Sequence, residues 1–314
     1  MPRSENDSWD IATSVGATAV MVALARAAET RSPNPLIRDE YAEVLVSTPE
    51  LADLRARLDA MWARAEESDE RAMDFQQMTD YQAVRTHFFD DFFAAAMAEG
   101  IRQHVILASG LDSRGHRLVW PVGTVVYEID LPAVLDYKSA TLTAVGASPS
   151  TTLREVAVDL RDDWPSALRD AGFDPTAPTA WLAEGLLPFL RGDAQEAMFA
   201  AITELSAPGS RIALEVFGVD PAARAEVHER WQQMRAERES RGEDTSFDVL
   251  DLWYHDDEPP ECAEWFAAHG WRTETVASRD EHIRLGRPPR DEPGEARPMI
   301  NAFVTAELAP QPVG

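Results

Sequence analysis

The 314-residue chain has one lysine, Lys138, among its 29 basic residues. The rest are arginine, a bias that speaks of genome composition rather than mechanism. It has one cysteine, Cys262, which excludes a disulfide framework and a thiolate metal site within one chain. Its neighbours read as a helix face, where a lone cysteine is a small buried hydrophobe. Basic charge is also short: 55 acids leave a net charge of -26, which argues against a nucleic-acid partner because phosphate binding rests on cationic contacts. No hydrophobic run is long enough to span a bilayer. Ile11 to Leu24 is apolar but broken by Thr13, Ser14, Gly16 and Thr18 and closed by Arg26, short of the roughly 18 residues a span needs. Glu5, Asp7 and Asp10 precede it, where a signal peptide would be basic. It reads as a docking helix, and the expectation is a cytoplasmic protein with no membrane partner.

Glycine is scarce where it would be most informative. In His104 to Asp130, HVILASGLDSRGHRLVWPVGTVVYEID, an apolar run (Val105, Ile106, Leu107) breaks at Ser109-Gly110. A second run (Val125, Val126, Tyr127) ends in Glu128-Ile129-Asp130. Gly110 and Asp130 are 20 residues apart, the spacing of a nucleotide-binding βαβ unit, in which the acid ending the second strand takes the ribose hydroxyls. A dinucleotide fold needs about three glycines to bring backbone close to a pyrophosphate, and Gly110 stands nearly alone. S-adenosyl-L-methionine has a ribose and an adenine but no phosphate, so one glycine with an acid fits a methyl donor better than NAD.

The first hundred residues carry helical signals at Ile11–Glu29, Glu40–Val46, Leu51–Ala65 and Tyr81–Met97, punctuated by Ser32-Pro33-Asn34-Pro35 and Ser47-Thr48-Pro49. Strand patterns follow at His104–Ser109, Thr124–Ile129, Leu153–Val158, Ala180–Glu184, Arg211–Phe217, Thr273–Ala277 and Asn301–Leu308. Helical stretches lie between them, including Pro132–Val145, Trp164–Ala171 and Ala194–Leu205. That alternation predicts an α/β fold with a mostly parallel sheet covered on both faces. Two departures stand out. The polar stretch Asp220–Asp257, with an amphipathic charged helix over Ala222–Arg241, reads as an insertion over the carboxyl edge of the sheet. Glu281–Pro298 has no helical pattern, so the sheet is expected to end in one antiparallel strand. The division expected is a helical cap over 1–100 and a ligand-binding core over 101–314 with a lid at about 220–257.

An open α/β sheet binds ligand at the carboxyl ends of its strands. Here those ends read Ser109-Gly110-Leu111-Asp112, Glu128-Ile129-Asp130, Asp159-Leu160, Glu184-Gly185 and Glu215-Val216-Phe217, each with a carboxylate. Acids are common by chance in so acidic a chain, but five strand ends in sequence match a cationic ligand bearing ribose, adenine and an ammonium.

The chain resembles the leucine carboxyl methyltransferase-like family, in particular its actinobacterial branch of S-adenosyl-L-methionine-dependent methyltransferases. The resemblance rests on Arg85-Thr86-His87-Phe88-Phe89-Asp90, Ala108-Ser109-Gly110-Leu111-Asp112-Ser113-Arg114, Glu128-Ile129-Asp130-Leu131-Pro132, Val158-Asp159-Leu160-Arg161, Trp181-Leu182-Ala183-Glu184-Gly185-Leu186-Leu187 and Thr13-Ser14-Val15-Gly16. It implies the Rossmann-like seven-stranded class I methyltransferase sheet with an N-terminal helical cap. By the same resemblance, Arg85 would grip the donor's methionine carboxylate with its guanidinium fork, and Gly110 would line the methionine end. Asp130 would accept from the ribose hydroxyls, Asp159 and the Leu160 backbone would meet the adenine edge, and Glu184 would sit near the amino group.

Other readings stay open. Arg85 could pair only with a helix acid, Asp112 or Ser113 could be a helix N-cap, and Glu128 could replace Asp130 at the ribose. Family members that methylate a protein's C-terminal leucine use a basic residue near the N-terminus, and Ser14–Ala25 contains no Lys or Arg. That weakens any transfer of substrate identity. His87 and His116 flank the expected pocket and could serve as bases, although a solvated or core-satisfied role is the plainer reading. Tyr254-His255-Asp256-Asp257 has no spaced second histidine for a metal and reads as an exposed loop.

The functional expectation is metal-free methyl transfer from S-adenosyl-L-methionine to a carboxylate or hydroxyl of a small molecule or peptide. No catalytic residue is identifiable, and since no base stands out a carboxylate acceptor fits slightly better. The alternative is a non-catalytic protein that binds the same donor; an NAD oxidoreductase is disfavoured by the absent glycines.

Overall fold

Seven strands form one sheet in the order β3-β2-β1-β4-β5-β7-β6. They are β1 Gln103–Leu107, β2 Val125–Asp130, β3 Thr152–Ala157, β4 Thr179–Ala183, β5 Arg211–Phe217, β6 Trp271–Ala277 and β7 Asn301–Leu308. The computed structural model describes residues 14–66, 69–217, 252–254, 259–289 and 301–309, with isolated helical positions between 225 and 240. Most of the expected insertion, including most of Ala222–Arg241, lies outside the described residues.

The alternation of side chains along each strand builds two cores. Val105, Leu107, Tyr127, Ile129, Trp181, Ile212 and Leu214 point to one face, against Trp164, Leu168, Phe199, Cys262 and Phe266. Ile106, Val126, Ala180, Leu182, Ala213 and Phe303 point to the other, against Val84, Phe89, Phe92, Phe93 and Ala96 of helix α4 (Asp69–Ala98). The inner strands are buried on both faces, which is why they read as near-continuous apolar runs; the edge strands β3 and β6 are largely exposed.

Helix α4 fixes the geometry of the site. It runs antiparallel to the parallel strands: Glu99, just past its end, meets Arg211 at the start of β5 at 2.5 Å, whereas Arg85 reaches Glu215 near the end of β5. Residues 81, 85, 89, 92 and 96 recur at helical spacing, so Tyr81 and Arg85 continue the stripe that packs on the sheet. Helices α1 (Ser14–Thr30), α2 (Ala42–Val46) and α3 (Ala52–Glu66) form a third cluster with Leu111 and Leu142. Arg26 on α1 donates to the Leu111 carbonyl at 2.7 Å and to Asp39 at 2.8 Å. The cap thus lies on the carboxyl edge.

Two sequence expectations change. The antiparallel strand is β7, but it does not end the sheet: it pairs antiparallel with both β5 and β6, and β6 takes the edge. β7 is the more apolar strand, with Phe303, Val304 and Ala306 buried, so it takes the two-sided position and half-exposed β6 the edge. The β6–β7 link is also not helix-free at its start. Ser278–Arg284 is a helix that buries Ser278, Glu281 and His282, too short for periodicity to reveal.

Candidate functional site

The sheet register assembles the strand-end acids. Glu128 pairs with Ile106, Ile106 with Leu182, and Leu182 with Ala213. One pleat further on, the same register brings Asp130, Glu184 and Glu215 to the carboxyl edge on the α4 face, while Ala108, in a turn at φ +49°, packs on the other core.

At one end of this row Asp130 receives two backbone hydrogen bonds, from Gly110 N–H to Oδ2 at 2.6 Å and from Leu131 N–H to Oδ1 at 2.7 Å. Gly110 has φ +48°, the left-handed region that favours glycine. A Cβ there would stand 3.3 Å from the Ala19 Cβ of α1, so the glycine also admits the cap. Burial raises the Asp130 pKa, opposed by the two N–H donors and by Lys138. Asp159 follows β3 and is ion-paired with Arg161 at 2.6 Å. Leu160 packs against the first core, and Val158 N–H to the Asp130 carbonyl at 3.0 Å ties this segment to the end of β2.

At the other end, Arg85 lies 2.9 Å from Glu184 through Nε and 2.9 Å from Glu215 through Nη1. Its partners are therefore two strand-end acids rather than a helix acid. Burial alone would lower its pKa, but Glu215 and Glu184 hold it well above the usual range. Glu184 also binds Arg114 at 2.8 Å, and Arg114 in turn binds Asp90 at 2.7 Å and Asp112. Two buried guanidiniums thus share one carboxylate. Asp90 also takes Arg117 at 2.7 Å.

The alternative residues occupy different places. Glu128 is fully buried against Lys138 at 2.7 Å, whereas Asp130 ends its strand at the edge. Lys138 also donates to Ser109 Oγ at 3.2 Å, so the sole lysine braces the turn before Gly110. Ser113 precedes the short helix Arg114–Arg117 without a side-chain capping bond. Asp112 instead accepts from the Arg114 N–H at 2.6 Å. Burial pushes the Asp112 carboxyl up, yet Arg114, Lys138 and Arg117 hold it down at about 2.

His87 faces Asp91 one helical turn away at 3.3 Å. His116 is half-buried with its ring edge-on to Tyr41, and burial lowers its pKa. Tyr254 donates its N–H to the Pro188 carbonyl at 3.0 Å, while 255–257 lie outside the described residues. Among the described residues no group of three or more His, Cys, Asp or Glu side chains is placed to hold a metal, and no helix is long and apolar enough to cross a membrane. Cys262 is buried, its thiol pushed up to about 12 by burial.

The sequence reading gave no role to Tyr81, Asp90, Lys138 or Arg114. Tyr81 and Asp90 were findable as helical neighbours of Arg85 and Arg114's partner; Lys138 was marked only by being the sole lysine. Arg26 lies one residue beyond the stretch Ser14–Ala25 that lacks a cation, and its charge is spent on Asp39 and Leu111.

Residues 19–203 match the family described as leucine carboxyl methyltransferase, more than half of the chain. The chain belongs to that family. A Mycobacterium marinum protein named "Putative S-adenosyl-L-methionine-dependent methyltransferase" is 61% identical over 98% of this chain and 99% of its own length. A Mycobacterium tuberculosis protein of the same name is 51% identical over 92% of this chain and 90% of its own. Among solved structures, the CurJ carbon methyltransferase aligns at TM-score 0.48 and 12% identity, covering 94% of this chain and 71% of its own. Magnesium protoporphyrin IX methyltransferase from Synechocystis, with bound S-adenosylhomocysteine (SAH), aligns at 0.43 and 12%, covering 73% and 86%. At those scores the likeness is loose and supports no statement about this chain's site.

Proposed function

We propose that the protein is an S-adenosyl-L-methionine-dependent O-methyltransferase acting on a carboxylate or hydroxyl of a small molecule or peptide. The observation that carries this is the set of acids Asp130, Glu184 and Glu215 at the carboxyl edge, with Gly110 hydrogen-bonded to Asp130 at one end and Arg85 seated at the other, in a chain of a methyltransferase family.

The residues present suit the donor. Arg85 Nη1 and Nε face glutamates, and Nη2 makes no hydrogen bond among the described residues, which leaves an edge of the fork for the methionine carboxylate. Asp130 keeps acceptor capacity beyond its two backbone donors for ribose hydroxyls. Asp159 and the Leu160 backbone stand beside it for the adenine, and Glu184 offers an anion to the ammonium.

The bound donor supplies an activated sulfonium methyl. This chain's contribution is to orient that methyl against the acceptor oxygen and to exclude water, and such positioning can lower the barrier by several kcal/mol. A carboxylate acceptor needs no base, whereas a hydroxyl does; with His87 turned to Asp91 and His116 set against Tyr41, the reading favours a carboxylate over a hydroxyl. Helices α1–α3 are proposed to cap the acceptor, α4 being part of the sheet core rather than of a cap over 1–100; the insertion at about 220–257, most of it outside the described residues, is proposed to complete the enclosure. The relatives' donor-dependent names support catalysis over a protein that merely binds the donor.

The test is transfer of labelled methyl to a panel of carboxylic acids, phenols, alcohols and short peptides, followed by mild alkali. A methyl ester releases labelled methanol and an ether retains its label. Turnover into alkali-labile product supports carboxyl methylation, alkali-stable product points to a hydroxyl, and donor binding without transfer to any of these would contradict the enzymatic reading.

A further inference from the structure

Tyr81 lies one helical turn before Arg85 on the buried face of α4, and its hydroxyl donates to Glu215 Oε1. Asn301, the first residue of β7, donates from Nδ2 to the same hydroxyl at 2.6 Å. Glu215 is fully buried; its other oxygen takes Arg85 Nη1 at 2.9 Å, and the Gly185 backbone also donates to this carboxylate. A Cβ on Gly185, which has φ +63°, would come within 3.3 Å of Arg85 Nη1. The ring of His282 stacks on Tyr81 at 6.1 Å.

Glu215 and His282 are both buried, at 0% and 1% exposure. A buried acid costs stability unless it is paired and hydrogen-bonded. Here Glu215, held by Tyr81 and the Gly185 backbone, takes Arg85 Nη1, Glu184 faces Nε, and Nη2 is left over. The tyrosine fixes the glutamate, the glutamate fixes the guanidinium in plane and angle, and the glycine admits both. An arginine has a long, freely rotating stem, so such bracing removes rotamers that would otherwise be lost on binding.

We propose that Tyr81 and Glu215, anchored by Asn301, are positioning residues that aim Arg85 at the carboxylate of the donor's amino-acid moiety. This rests on the reading of Arg85 as the donor's carboxylate partner. It predicts that their effect is confined to ligands that carry that carboxylate.

The experiment compares SAH, which has the amino-acid carboxylate, with 5′-methylthioadenosine, which lacks it, by calorimetric titration of the full chain. Tyr81→Phe removes one hydroxyl and is expected to weaken SAH about three- to tenfold, roughly one hydrogen bond's worth. It should leave 5′-methylthioadenosine within about twofold, a difference too small to count as a lost hydrogen bond. In an Arg85→Met background the same substitution should have no further effect, as expected of a residue acting through Arg85. In turnover, KM for the donor should rise with kcat held.

Equal weakening of both ligands, or a full Tyr81→Phe effect without Arg85, would show a merely structural role and overturn the proposal. So would undiminished SAH binding by Tyr81→Phe. If Arg85→Met weakens SAH while Tyr81→Phe does not, only the positioning role fails. If the wild type binds neither ligand, the functional reading itself fails. Glu215→Gln is the second variant and should follow the same pattern with a larger loss; Tyr81→Phe stands alone should Glu215→Gln fail to fold.

Discussion

The Gly110 N–H donates to Asp130 Oδ2 at 2.6 Å across 20 residues of sequence, closing the turn after β1 against the end of β2. The bond fixes one oxygen of the acid while leaving it lone pairs for a ligand. Asp130→Ala should therefore weaken SAH binding by about 1.5–3 kcal/mol, roughly ten- to a hundredfold. Asp112→Ala should weaken it much less, because Asp112 faces Arg114 inside the protein. Its loss should appear as a lower Tm, since removing one partner of a buried pair costs about 3–5 kcal/mol. Equal binding losses in calorimetric titrations would contradict the assignment.

Lys138 and Glu128 form a buried pair under that turn. Lys138→Met strands the Glu128 charge and should cost about 3–5 kcal/mol in urea unfolding. Adding Glu128→Leu should recover most of it, because both charges are then gone. A double variant as unstable as the single one would show that Lys138 matters mainly through Ser109.

Acid should reveal Asp112. Its folded pKa of about 2 lies below the ordinary 3.8, so between those values the unfolded chain binds the extra proton. Stability from this group is present above pH 3.8, fades as pH falls toward 2, and amounts to on the order of 2 kcal/mol. Asp112→Asn should flatten that part of the stability–pH curve; an unchanged slope there would refute the assignment.

Apolar runs marked the five inner strands, whose two faces are buried, and all seven strands lie within one or two residues of their expected bounds even though edge strands β3 and β6 are largely exposed. The row of acids was legible as chemistry, since each strand end carries a carboxylate. Its pairing was not. Which of Glu128 and Asp130 reaches the edge depends on a register shift of two residues, visible only in the pairing of Glu128 with Ile106. The partners of Arg85 were hidden for the same reason, since Glu184 and Glu215 lie 99 and 130 residues from it along the chain. The place of β7 inside the sheet was hidden too, because sequence order says nothing of which late strand takes the edge.

The cap gives a dynamic expectation. Ala19 packs over Gly110 and Arg26 over Leu111, so donor binding should protect α1 amides from hydrogen exchange along with those around Gly110 and Asp130, as expected of a lid that excludes water. The insertion at about 220–257 should gain protection with it. Protection confined to Gly110 and Asp130 would show that the cap and insertion are not a lid.

The most direct test of the central claim is calorimetric titration of the chain with SAH and, separately, NAD, both in the presence of a metal chelator. The account predicts that SAH binds, that the chelator leaves its affinity unchanged, and that NAD does not bind, since one glycine at the β1 turn offers no pyrophosphate cradle. Binding of NAD with no binding of SAH, or SAH affinity lost to the chelator, would contradict it.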